Sequence, residues 1–149
     1  MFRKKGRNLL QKEESVIRHA KKLEKIASFF NRKGIAVSVF VDPDKEEIRA
    51  ALYAGISTIE IHTGQYSIAK TKREAGEEFR KIKESAEYAL SEGLVVNVGH
   101  GLNYENTGRI ADIKGINELN IGHSIISRAV FAGLYKAVKD MKSKIASYD

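Results

Sequence analysis

The 149-residue chain contains no cysteine and no tryptophan, only one proline and two methionines. Without cysteine it forms no disulfide and no thiolate metal site, which fits a cytoplasmic chain. No apolar stretch approaches the ~18 residues of a membrane span, and the basic N-terminus lacks the apolar core of a signal peptide. No membrane partner is therefore expected. With 42% hydrophobic and 30% charged residues, the composition is that of a globular protein of about one domain, large enough to bury a core.

Excess charge is also missing from most of the chain. Residues 34–149 carry 15 Lys/Arg against 16 Asp/Glu, whereas residues 1–33 carry 11 against 3. The net charge of +7 belongs to the N-terminal segment, M-F-R-K-K-G-R-N and the helical stretch behind it. A nucleic-acid arm would need such charge, but it comes with no aromatic platform or binding motif. The segment reads as a solvated basic helix, and nucleic acid is not the expected partner.

What is present is alternation. Leu9, Leu10, Val16, Ile17, Ala20, Leu23, Ile26, Ala27 and Phe30 follow helical spacing, closed by Asn31 to Gly34. The β-branched run I-A-V-S-V-F-V at 35–41 predicts a strand. Asp42-Pro43-Asp44 starts a helix with proline in its first turn and capping-box spacing from Asp44 to Glu47, ended by Gly55. A second strand is expected at 56–62, a long helix over Lys72–Ser91 closed by Gly93, and a third strand at Leu94–Val98. A short helix near Asn106–Ile113, a fourth strand at Glu118–Gly122 and one helix from Ser124 to Ala146 complete the pattern.

Such a series argues for parallel strands joined by crossovers. The strands are apolar on most positions, as expected when both faces are covered. An open doubly wound sheet and four units of a (β/α)8 barrel both fit, although a whole barrel needs ~250 residues. Polar residues in the strands favour the barrel. In I-S-T-I-E-I-H, Glu60 and His62 share a face opposite Ile59 and Ile61; Ser38, Phe40 and Asp42 share a face in the preceding strand. A buried carboxylate and imidazole are costly without partners, and the mouth of a barrel accommodates them. The plainer alternative is that Glu60 bonds His62 or a lysine and closes a polar layer.

Two strands end in similar corners, V-N-V-G-H-G-L-N at 96–103 and L-N-I-G-H-S at 119–124. Glycine lets a ligand approach the backbone, and histidine exchanges protons near neutral pH. Loops after the last strands of a barrel often hold phosphate at a helix N-terminus. His62, His100 and His123 match no compact zinc-ligand spacing, so no metal site is expected; His19 on the basic helix is read as structural or exposed.

Taken together, G-I-A-V-S-V-F-V-D, I-E-I-H-T-G-Q-Y, V-N-V-G-H-G-L-N-Y-E-N and E-L-N-I-G-H-S-I-I-S-R-A-V resemble the C-terminal half of the pyridoxine 5′-phosphate synthase family. The resemblance runs from Lys33 to the end, about 115 residues. It implies a (β/α)8 barrel, a homo-oligomer built from dimers, and a reaction without metal or organic cofactor. That reaction condenses 1-deoxy-D-xylulose 5-phosphate with 3-amino-2-oxopropyl phosphate to pyridoxine 5′-phosphate, phosphate and water. By motif, His100 would be the general acid, and Glu60 a carboxylate that stabilises the transition state. Gly101, Gly122 and His123 would hold the phosphate of the amino-ketone substrate.

Nothing in residues 1–33 resembles the family's first four strands, which carry its Asn-x-Asp-His motif and further acid–base groups. The expectation is therefore a basic segment, 1–33, followed by a (β/α)4 half-barrel, 34–149. Alone it would be inactive, with its edges closed by self-association or by a complementing N-terminal half. The other readings are a phosphate-binding remnant without turnover and an interaction protein using its basic arm.

Overall fold

The computed structural model describes residues 15–146; the N-terminal basic arm and Leu9 and Leu10 lie outside them. The first element is helix α1 (Val16–Asn31), followed by β1 (Ser38–Val41), α2 (Lys45–Tyr53), β2 (Thr58–His62) and α3 (Gly64–Ile68). Then come α4 (Lys72–Ser91), β3 (Val95–Gly99), α5 (Thr107–Ala111), β4 (Glu118–Asn120), α6 (His123–Ala132) and α7 (Leu134–Ala146).

The four strands are parallel and pair in the order β1-β2-β3-β4. A doubly wound sheet reverses strand order so that helices reach both faces; here the order never reverses. The architecture is α/β, consistent with half of a (β/α)8 barrel, with an open sheet.

Alternation along the strands separates two faces. Ile59, Ile61, Val96 and Val98 are fully buried and join Ile48 and Ala51 of α2 and Ile82, Ala86 and Ala89 of α4 in one core. Burial of each such large aliphatic contributes about 1.5–3 kcal/mol. The opposite face carries Phe40, Glu60, Asn97 and Glu118 in one row, with Phe40 44% exposed. Helices therefore cover one face, which corrects the expectation of cover on both. The strands look apolar throughout because short segments carry few residues on the polar face.

Two helix ends show how the loops are set. Gly55, at φ +73°, follows α2; its N–H bonds Leu52 O at 2.9 Å, and Ile56 N–H bonds Ala51 O at 3.1 Å. The same pair of bonds surrounds Gly93 after α4. Only glycine takes this left-handed position without strain, and the next residue is turned into a strand.

The start of α2 differs from expectation. Pro43 precedes the cap, and Asp44 accepts from Glu46 N at 2.7 Å. Glu47 makes no capping box. Its carboxylate accepts from the Ser15 hydroxyl and from Val16 N at 2.7 Å, satisfying free N–H groups at the start of α1. The expected capping box occurs instead on α4, between Thr71 and Glu74. Val16 and Ala27 of α1 lie in the common core.

The C-terminal helix is two helices. Gly133, at φ +79°, breaks it, and α6 and α7 pack on one another, joined by Arg128 and Asp140. Continuous apolar spacing across the break hides the turn. The short α3, directly after β2, has too few residues to show a period and was not anticipated.

Candidate active site

Parallel strands bring their carboxyl ends to one edge of the sheet. That edge carries Asp42 after β1, His62 and Thr63 at the end of β2, Gly99 to Gly101 at the end of β3, and Asn120 at the end of β4 with Gly122 and His123 beyond it.

Glu60 lies on the open face, partly exposed. It does not bond His62 or a lysine; Asn120 Nδ2 donates to its Oε2 at 2.8 Å. Its other oxygen fills the space left by Gly99, where a Cβ would come within 2.1 Å of Oε1. The carboxylate is thus fitted against the backbone just before His100. Register explains the contact, since Gly99 pairs with Asn120 and with His62 in neighbouring strands.

His62 is 8% exposed. Its Nδ1 lies 3.2 Å from Asp42 Oδ1, and its ring meets Phe40 edge-on at 4.9 Å and His100 at 4.7 Å. Its buried Nε2 has no hydrogen-bond partner among the described residues. Leaving such an atom unpaired costs about 1–3 kcal/mol. A Cβ on Gly64 would strike Nε2 at 2.6 Å and approach His100 Cδ2 at 3.2 Å. Gly64 is the space in which the two imidazoles meet.

His100 has φ +82°, the one non-glycine residue with positive φ among those described. The conformation costs on the order of 1 kcal/mol and persists where surroundings hold it. Gly101 follows at φ +77°, where a Cβ would strike Ser67 Oγ at 2.1 Å. Two left-handed residues in succession turn the chain sharply at the strand tip and leave the imidazole exposed. Thr63, fully buried, donates its backbone N–H to Gly99 O at 2.8 Å; its hydroxyl lies 2.7 Å from the carbonyls of both Gly99 and His100.

Gly122 caps α6, no side chain caps that helix, and a Cβ at Gly122 would meet nothing within 4 Å. His123 is the first residue of α6 and is exposed. The corner stays near the first one, because Ser124 Oγ donates to Leu102 O at 2.9 Å. The structure therefore packs His62 against His100 and fits Glu60 against Gly99, the residue before His100. His123 makes no such contact with them and lies three residues past the Asn120 that holds Glu60.

A cleft of about 420 Å³ opens beside His62, lined by Phe40, Asp42, Gln65, Glu78 and Lys81. Its size suits a small ligand, but Glu60, His100 and His123 do not line it. Thr63, Asn120 and the buried setting of His62 are the parts that sequence reasoning missed. Strand alternation alone pointed toward His62; the other two needed the register between strands.

A family model described as "Pyridoxal phosphate biosynthesis protein PdxJ" matches residues 13–147. The chain belongs to this family. It is 48% identical over 127 residues to a pyridoxine 5′-phosphate synthase of Blochmanniella floridana, covering 85% of this chain and 51% of the relative. It is 52% identical over 124 residues to the enzyme of that name from Coxiella burnetii strain Dugway 5J108-111, covering 83% and 52%. For Legionella pneumophila strain Corby the figures are 49% over 127 residues, 85% and 51%. The chain spans about half the length of the curated relatives it matches. A chain in the crystal structure of the Amycolatopsis orientalis BexX/CysO complex shares its fold, with a TM-score of 0.50 at 15% identity, over 87% of this chain and 50% of that one. The matched stretch of this PdxJ-family chain contains all three strand-end histidines and Glu60.

Proposed function

We propose that this PdxJ-family chain supplies the C-terminal half of a pyridoxine 5′-phosphate synthase site, acting on 1-deoxy-D-xylulose 5-phosphate and 3-amino-2-oxopropyl phosphate. The observation that carries the proposal is found at the strand tips, where His62 packs on His100 in the space left by Gly64, and Glu60 fills the space left by Gly99, next to His100. Ring closure needs imine formation, dehydration and proton transfer, so it needs a proton donor and a carboxylate beside developing positive charge. His100, exposed on a fixed backbone, acts as the general acid. Glu60, held by Asn120, stabilises the cationic transition state.

The phosphate of the amino-ketone binds at the two glycine corners. Gly101 offers backbone at one side; Gly122 and His123 offer the uncapped start of α6 at the other. The phosphorylated substrates are the small-molecule partners, and cytoplasm is the compartment. No described helix is long and apolar enough to cross a membrane.

The bare sheet face and the edge strands β1 and β4 are covered in the working assembly. A complementing N-terminal half-barrel, or a second copy of the chain, covers them and supplies the remaining acid–base groups. Residues 34–149 form the (β/α)4 unit of that barrel, and the basic segment 1–33 leads into it. By itself the chain turns over neither substrate.

The test mixes the chain with an N-terminal half-barrel from a full-length relative, adds both substrates and measures pyridoxine 5′-phosphate. Product from the mixture and none from either half supports the proposal. No product, with phosphate still shifting the amide signals of Gly101 and of residues 122–124, reduces the chain to a phosphate-binding remnant.

A further inference from the structure

We infer that Thr63 is a positioning residue for His100, a role that rests on reading His100 as the general acid. Thr63 stands at the N-cap of α3, where a threonine hydroxyl normally accepts a hydrogen bond from its own helix. Here it makes no such bond. The hydroxyl is turned across to the neighbouring strand end, 2.7 Å from the carbonyls of Gly99 and His100. It is fully buried, so water does not compete for that proton. The Thr63 backbone N–H adds a bond to Gly99 O at 2.8 Å.

These bonds grip the peptide unit on each side of the His100 α-carbon. Its φ and ψ are thereby set, and with them the direction of the imidazole. A left-handed histidine needs such an outside hold, because nothing in its own backbone preference keeps it there. The neighbouring residues serve the same end. Gly64 admits the His62 ring against His100, and Ser67, bonded to Gly64 O at 2.8 Å, lies against Gly101. Residues 62–67 thus form a seat for the 99–101 corner. The second corner, at Gly122, has no such seat.

The test compares Thr63→Val, which keeps the shape and removes the hydroxyl, with Thr63→Ser, which keeps the hydroxyl. In the full chain, the backbone carbon shifts and three-bond coupling of His100 should leave the left-handed range in Thr63→Val and stay there in Thr63→Ser. Ile82→Val, a buried change on α4, serves as a stability control and should leave His100 unmoved. In the reconstituted two-half enzyme, Thr63→Val should lower kcat about tenfold with KM within about twofold, and Thr63→Ser should restore it. Unchanged His100 signals in Thr63→Val, an equal movement in Ile82→Val, or an unchanged kcat would overturn the inference. If Thr63→Val does not fold, the unaltered chain decides: a slowly exchanging Thr63 hydroxyl proton with a cross-peak to His100 supports it, and rapid exchange overturns it. Should the unaltered assembly make no product, the proposed reaction falls while the His100 signals still judge the role of Thr63.

Discussion

The two Gly-His corners differ little in sequence and greatly in support. At 99–101 the glycines are surrounded: Glu60 crowds the place of a Gly99 side chain and Ser67 that of Gly101, and the histidine between them is left-handed. At 122–123 the glycine faces open space and the histidine enters a helix with ordinary geometry. One corner fixes a side chain; the other presents a helix start. A general acid needs a fixed direction, and an anion needs only unclaimed N–H groups, so the division suits the roles proposed above.

The largest break in this comparison should come from Gly99→Ala against Gly122→Ala. The first drives a Cβ into the Glu60 carboxylate and to 3.0 Å from Asn120 Cβ, so the carboxylate must swing away and lose its bond from Asn120, at a cost of about 1–3 kcal/mol. The second should change stability by less than about 0.5 kcal/mol. Urea unfolding midpoints of the two variants measure the difference, and equal losses would erase the distinction.

A second contrast is one of sign. At His100 the left-handed backbone should make a glycine variant more stable than an alanine variant by about 1 kcal/mol. At His123, inside a helix, alanine should exceed glycine by up to about 1 kcal/mol. Thermal unfolding of the four variants tests both orders, and the same order at both positions would contradict the structure.

Next comes Asn120→Ala, which removes the donor to Glu60 and should cost about 1 kcal/mol. Carboxyl-carbon NMR of Glu60 should show the lost bond, whereas Asn103→Ala, in the loop beyond the first corner, should leave that signal alone.

The smallest effect concerns acid. Hydrogen bonds from Lys136 and then Arg128 hold the surface carboxyl of Asp140 below the usual carboxylate range. A depressed folded value means stability present above the unfolded value and lost as pH falls through the folded one. Because Arg128 lies on α6, acidification below about pH 4 should loosen the α6–α7 pair that carries the second corner. Amide exchange of α6 should quicken there before that of β3, and Asp140→Asn should remove the difference.

Much of the fold was legible because local chemistry dictates it. The boundaries of α4 follow from Thr71 and Glu74 at one end and Gly93 at the other, and β1, β2 and β3 lie where a β-branched run follows a glycine; β4, Glu-Leu-Asn, has no β-branched residue. The break at Gly133 was hidden by apolar spacing that fits one helix as well as two. The partner of Glu47 was hidden because Ser15 lies 32 positions away along the chain. Glu60 and His100 were legible as residue types at strand ends, but not what holds them.

The amino-acid order by itself determined the strand–helix series, the face on which Glu60 and His62 stand, and the two glycine corners, since each depends on spacing within a few residues. Tertiary structure alone decided that Asn120 holds Glu60, that Thr63 grips the His100 backbone, and that His62 buries an unpaired nitrogen against its neighbour. Those contacts join strands whose relative register is a property of packing. A shift of one residue in that register would turn every one of these side chains to the other face.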